Sequence, residues 1–241
     1  MSLYLSSIIN DLIVLLSIGI TFVLKKSQKI GIFVGVICWL LLSVYFLIEY
    51  VVIRASTVDY SVLKQPMSDL GVTACGKDTH LLASYEICSP YHPLMNVTFT
   101  LVGIVIFMGA FLLEDLFPKG KRIRIATILF AIYGISFGIS GIVPADSSFW
   151  VHTISAIQGM FVQIPALLLI ARTIKIEWHG LHKWTFFILL VNASTIVLIL
   201  LPFISINLPG GLLQRMLYGS VFVWMSVTAI VLAMKKYKQV R

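Results

Sequence analysis

Long apolar runs separated by short polar segments dominate this chain. Seven stretches, Leu5–Leu24, Gly31–Ile53, Pro93–Leu113, Ile123–Val143, His152–Ala171, Trp184–Ile204 and Gly211–Met234, carry very few charged side chains. Each reaches about the 20 residues that an α-helix needs to cross the hydrocarbon of a bilayer. A backbone inside lipid has no water to bond and must satisfy its own N–H and C=O groups, so the stretches predict helices. The expected fold is all-α: a polytopic seven-transmembrane-helix bundle forming one membrane domain over residues 1–241. The longest segment between spans, 54–92, contains Pro66, Gly71, Gly76 and Pro90 and has no strong period. A connection of that length is usually functional or packed as a lid, so an extracytoplasmic lid is expected there. Within it, Ser56–Leu63 reads equally well as a short interfacial helix or a strand.

Charge placement adds an orientation. The chain is 59% hydrophobic and 12% charged, with a net charge of +8 and a mean hydropathy of +0.99, values outside the range of soluble domains. Fourteen of its eighteen Lys and Arg residues fall in alternate connections and the C-terminal tail, among them Lys25, Lys26, Lys29, Lys119, Lys121, Arg122, Arg124, Arg172, Lys175 and Lys183. Arg54, Lys64, Lys77 and Arg215 fall on the other side. The positive-inside rule then predicts an outside N-terminus and a cytoplasmic C-terminus in the plasma membrane of a prokaryotic cell. The basic clusters are short and lack interleaved aromatics on a soluble face, which argues against nucleic acid and for anionic membrane lipids. The first span has no basic segment before its apolar run, so it reads as a retained helix and not as a cleaved signal peptide. Asp11 within that span needs a place near the outer interface.

Cys38 lies inside the second span and reads as a small apolar filler. Cys75 and Cys88 share the lid, which the orientation places outside, where disulfides persist, so a Cys75–Cys88 bridge is expected. Gly134, Gly138 and Gly141 in the fourth span predict a close helix–helix approach. Asn192 and Gln163 are the deep polar groups, and interhelical hydrogen bonds are expected of both. Asn96-Val-Thr98 has the form of a glycosylation sequon, but its place at the membrane edge favours a hydrogen-bonding role for Asn96.

The chemistry-bearing residues gather at the outer helix ends: Glu49, Ser68, Asp69, His80, His92, Asn96, Asp146, His152, Gln214 and Arg215. Ionisable groups at that depth are functional candidates. Ser68-Asp69-Leu70-Gly71, then Asn96, then Gly141-x-x-Pro144 with His152, then Gln214-Arg215 with Trp224, resembles the multipass bacterial and archaeal family known as domain of unknown function nine-nine-eight. The resemblance implies the fold and a membrane location and supplies no activity.

Three readings of the outer cluster stand side by side. In the first, a hydrolase or acyl-transfer site uses Ser68 as nucleophile, His152 as general base and Asp69 or Asp146 to orient it. No G-x-S-x-G elbow supports it. In the second, His92, His152 and Asp146, with Asp69 or His80, hold a catalytic zinc acting on outer-leaflet lipid. The paired His-x-x-x-His that marks seven-helix zinc amidases is missing from the last span. In the third, the network is structural and lines a pocket for a lipid or lipid-like small molecule. Asp146 and Ser147 cap the fifth helix, and Arg215 pairs with Glu49 or Asp69. Arg215 and Gln214, with Asn96 and Glu49, are the ligand-binding candidates. The last span has no lysine for a retinal Schiff base, and every histidine sits at a membrane boundary, which argues against transmembrane haem.

Overall fold

The apolar runs do form helices, and two of their details depart from the simple pattern. The computed structural model describes the backbone of residues 2–176, 178–200 and 209–240 and the side chains of 12–176, 178–200 and 209–238. Its helices are α1 (Ser2–Lys26), α2 (Gln28–Leu41), α3 (Val44–Arg54), α4 (His92–Leu113), α5 (Lys121–Ile142), α6 (Phe149–Ile174), α7 (His179–Leu200) and α8 (Gly210–Val240). Among the described residues six rods are long and apolar enough to cross a membrane, the first of them being α2 and α3 together, Gln28–Arg54. The chain is thus a multipass membrane protein. The expected first span falls within α1, but Asp11 lies outside the described side chains, and the end of the expected sixth span, 201–204, lies outside the described residues.

The second span is one run in sequence and two helices in space. At the break, Ser43 N–H bonds the Leu40 carbonyl and not that of Trp39. The Trp39 carbonyl is left without its helical donor, and the Ser226 hydroxyl of α8 supplies one at 2.8 Å. A side chain inserted into the ladder is a recognised cause of such a kink. No local signal announces it, because the inserting residue is 187 positions away.

Helices α2, α4, α5, α6, α7 and α8 close a ring in which each packs on its neighbours, and α1 lies outside against α4. The most apolar windows of α4, α5 and α8 are 61, 56 and 61% buried, against 39 and 33% for α6 and α7, so the first three form the centre. Stacked rings fill it: Phe130 on Trp224 at 5.4 Å and Trp39 beside Trp224 at 5.9 Å. The Trp224 indole N–H, which nothing apolar can satisfy, donates to Thr185 Oγ1 at 2.9 Å. The expected glycine contact is made between α4 and α5, where a Cβ on Gly103 would overlap the Gly134 and Gly138 backbones. Of the two deep polar groups, Asn192 does cross to Ser220 of α8 at 2.9 Å. Gln163 does not cross; its amide bonds Met160 of its own helix.

The segment between α3 and α4 packs as a lid over one end of the ring. Cys75 and Cys88 are bridged, with Cα atoms 4.3 Å apart. Next to the bridge, Gly76 and Ile87 exchange two backbone hydrogen bonds of 2.9 Å. Val72, Ala83, Ile87 and Ala145 give the lid its own small apolar core. A 3-10 turn, Met67–Gly71, drops Met67 and Leu70 into the bundle core. Ser56–Leu63 forms neither of the two expected elements and runs as bends and turns. Asp146 and Ser147 do not cap α6 either: its N-cap is Ser148, with no side-chain cap bond, because the Asp146 carboxylate is engaged by the lid.

Candidate functional site

Among the described residues, the ends of α3, α4, α6 and α8 beneath the lid contribute to one polar layer. Arg215, in the first turns of α8, is its largest hub. Its Nε donates to Glu49 Oε1 of α3 at 2.9 Å. Its Nη1 serves the carbonyls of Val62, Gln65 and Gly211 at 2.9–3.0 Å, and its Nη2 donates to Tyr60 Oη at 2.6 Å. The planar fork of a guanidinium suits this spread of acceptors. Of the two expected partners of Arg215, Glu49 is the one found. Both residues thus help to hold the lid on the bundle.

Asp69 instead sits, with a fully buried side chain, between His80 and Tyr85 of the lid. Tyr85 Oη donates to Asp69 Oδ2 at 2.7 Å, and His80 Nε2 lies 3.1 Å from Oδ1. Leu82 N–H points at His80 Nδ1, so that nitrogen is the acceptor and Nε2–H the donor. Burial, then the hydrogen bond to Asp69 and its charge, push the Tyr85 hydroxyl well above the usual tyrosine range. Burial likewise raises Tyr60, with Arg215 opposing. A folded-state pKa above the unfolded value contributes stability below the unfolded pKa and loses it as pH rises toward the folded one. Lid stability is therefore expected to fall above about pH 10, and an ultraviolet tyrosinate titration should show Tyr85→Phe losing a late-ionising phase. An unchanged titration curve in that variant would remove the buried Tyr85–Asp69 bond from the account.

The remaining predicted residues divide into lid anchors and cavity walls. Asn96 Nδ2 donates to the Gly71 carbonyl at 2.8 Å. A Cβ on Gly71 would overlap the Asn96 side chain, so the glycine is what lets this bond form. Asn96 is thus engaged by protein, in keeping with the hydrogen-bonding reading of the sequon. Gln214 Oε1 accepts from Met67 N–H at 2.7 Å. Asp146 Oδ2 accepts from Thr73 N, Thr73 Oγ1 and Ala74 N at 2.7–3.0 Å. His92 turns its Nδ1 to the Ser89 carbonyl at the start of α4.

Ser68 and His152 face common space. A chamber of about 20 Å³, enough for one water, is lined by both together with Ser136, Ser140, Gln214 and Tyr218. It adjoins a groove of about 420 Å³ between α6 and the start of α8, under the lid. The groove has a polar rim of Lys64, Ser68, His80, His152 and Gln214 and an apolar wall running from Phe149 through Ile157 to Met160, with Leu213 opposite. His152 Nδ1 donates to the Val143 carbonyl at 2.9 Å. Neither proposed orienting carboxylate bonds it, since Asp69 holds His80 and Asp146 holds the Thr73–Ala74 turn. The Ser68–His152–Asp triad is therefore not assembled. Nor is the zinc set: among the described residues no three His, Cys, Asp or Glu side chains converge on a point that could hold a metal. The residues present do not fit that ion.

Sequence reasoning missed Tyr60, Tyr85, Thr73 and Lys64, all in the lid. Nothing near them in the chain marks them. Tyr60 and Thr73 meet partners 155 and 73 positions away.

No curated protein and no solved structure matches the chain. A family model described as "Protein of unknown function (DUF998)" matches residues 36–231, from within α2 to within α8, and so takes in the lid, the Arg215 hub and both walls of the groove. The residues that carried the resemblance mostly dock the lid or fill the core beneath it, and over more than three quarters of its length the chain belongs to that family.

Proposed function

We propose that this protein binds one lipid-like amphiphile from the outer leaflet in the groove between α6 and α8, beneath the disulfide-bridged lid. In this reading α1 is the seventh span, the N-terminus is outside, the basic connections are cytoplasmic and the membrane is the plasma membrane. The supporting observation is the groove itself. Its volume of about 420 Å³ falls within the roughly 300–1,000 Å³ of small-molecule pockets, and its apolar walls with a few convergent polar groups match their usual make-up. The apolar wall descends α6 from Phe149 to Met160, about 17 Å along the helix axis. That is close to half of a ~30 Å hydrocarbon core, the depth of one leaflet. Binding is preferred to hydrolysis because the two carboxylates that would serve a Ser68–His152 pair are engaged elsewhere.

Filling the groove tests this. Ala156 lines both the groove and the chamber, and Ala156→Trp projects an indole into them. Native mass spectrometry of the protein extracted from its membrane is expected to show one retained lipid-mass adduct, reduced at least about tenfold in the variant. An adduct equally abundant in both proteins places the lipid on the outer surface and sinks the groove reading.

A further inference from the structure

We infer that the amphiphile carries an anionic, oxygen-rich head, a carboxylate or a phosphate monoester, received by Gln214, Ser68 and Lys64. This rests on the groove reading above and assigns its ligand class. None of the described residues that line the groove is acidic. The nearby carboxylates hold donors of their own: Glu49 that of Arg215, Asp69 those of His80 and Tyr85, and Asp146 Oδ2 those of Thr73 and Ala74; Asp146 Oδ1 has no partner among the described residues, but Asp146 lines neither the groove nor the chamber.

Donors, by contrast, are left over. Met67 N–H can only donate, so it fixes Gln214 Oε1 as its acceptor. The Gln214 amide NH2 then faces away from that bond with two hydrogens to give, and they meet no acceptor among the described residues. The Ser68 hydroxyl, half-buried on the rim, likewise has no hydrogen-bond partner among the described residues, and the Lys64 ammonium has neither a hydrogen-bond acceptor nor an ion-pair partner there, its only bond being the backbone one from Lys64 N–H to the Ser61 carbonyl. In the chamber below, Ser136 is 2% exposed and its hydroxyl has no partner among the described residues. A buried or half-buried donor without an acceptor is costly, so the unfilled requirement of this site is for acceptors. The charges agree. Arg215 cancels Glu49, and Lys64 remains as one cation at the rim. The first turns of α6 and α8 both open on the same space, and their partial positive ends favour an anion there. An anionic head with two or three acceptor oxygens meets these groups, and its single chain lies along α6.

The test uses the full chain in nanodiscs and four amphiphiles of one chain length: dodecanoate, dodecyl phosphate, dodecanol and dodecyltrimethylammonium. Isothermal titration should give affinities at least about tenfold higher for the two anions than for the alcohol or the cation. The stronger of the two anions then tells a fatty-acid source from a lipid-phosphate source. Lys64→Gln, at an exposed position, should weaken the anions about three- to tenfold and leave the alcohol unchanged. Gln214→Glu keeps the acceptor for Met67 but turns the free donors into a carboxylate, and it should weaken the anions by more than about tenfold. Thermal melting of both variants confirms that the bundle is intact. Equal affinity for dodecanol and the anions, or a preference for the cation, overturns the headgroup assignment and leaves the groove reading standing. Failure of all four amphiphiles to bind overturns both.

Discussion

Arg215→Met is expected to lower the stability of the protein by about 3–5 kcal/mol, the range seen when one partner of a buried ion pair is removed. The Arg215 and Glu49 side chains are 12 and 9% exposed, so the pair is shielded from solvent. Loss of the guanidinium strands the Glu49 carboxylate and leaves Tyr60 and three carbonyls without their donor. Arg215→Lys should recover little, because one ammonium on a flexible stem cannot span a fork of acceptors on three sides. The double variant Glu49→Leu with Arg215→Met should be more stable than Arg215→Met alone, since it removes the uncompensated charge. Reversible unfolding in mixed micelles reads all three. A loss below about 1 kcal/mol in Arg215→Met, the size typical of exposed pairs, would falsify the hub role.

The second large effect is local. The Cys75–Cys88 bridge closes a loop with a sequence separation of 13, worth about 3 kcal/mol on the chain-entropy estimate. Replacing both cysteines by serine should therefore raise hydrogen exchange of the lid amides by about a hundredfold, as 1.4 kcal/mol is tenfold. Exchange in α4, α5 and α8 should stay as it is, because the core around Trp39, Phe130 and Trp224 makes no use of the bridge. On this expectation lid and bundle open as two units of different stability. Exchange that rises equally in the core helices would show that the lid is not an independent unit.

These two effects mark where the sequence was legible and where it was not. The helices were readable because lipid forces each span to be a run of about 20 apolar residues, and α4 through α6 fall within a few residues of the expected runs. The disulfide was readable because both cysteines lie in one connection on the side with few basic residues. The pairing of Asp69 was not readable. Several charged and imidazole groups at one rim admit many partnerships, and only the path of the lid brings His80 and Tyr85 to Asp69 while Arg215 goes to Glu49. That path also separates His92, His152 and Asp146, which in sequence look like a ligand set.

The amino-acid sequence by itself determined that this chain crosses a membrane many times, that its spans are helical and that its polar groups gather at one end. Those properties follow from local composition and from the cost of bare backbone groups in lipid. The tertiary structure alone decided the α2–α3 kink, the partners of each carboxylate and the groove between α6 and α8. These depend on atoms far apart in the chain, such as Ser226 against Trp39 or Asp146 against Thr73, on the path of the lid that brings His80 and Tyr85 to Asp69, or on space that packing leaves unfilled. Contacts at such range leave no period and no motif behind.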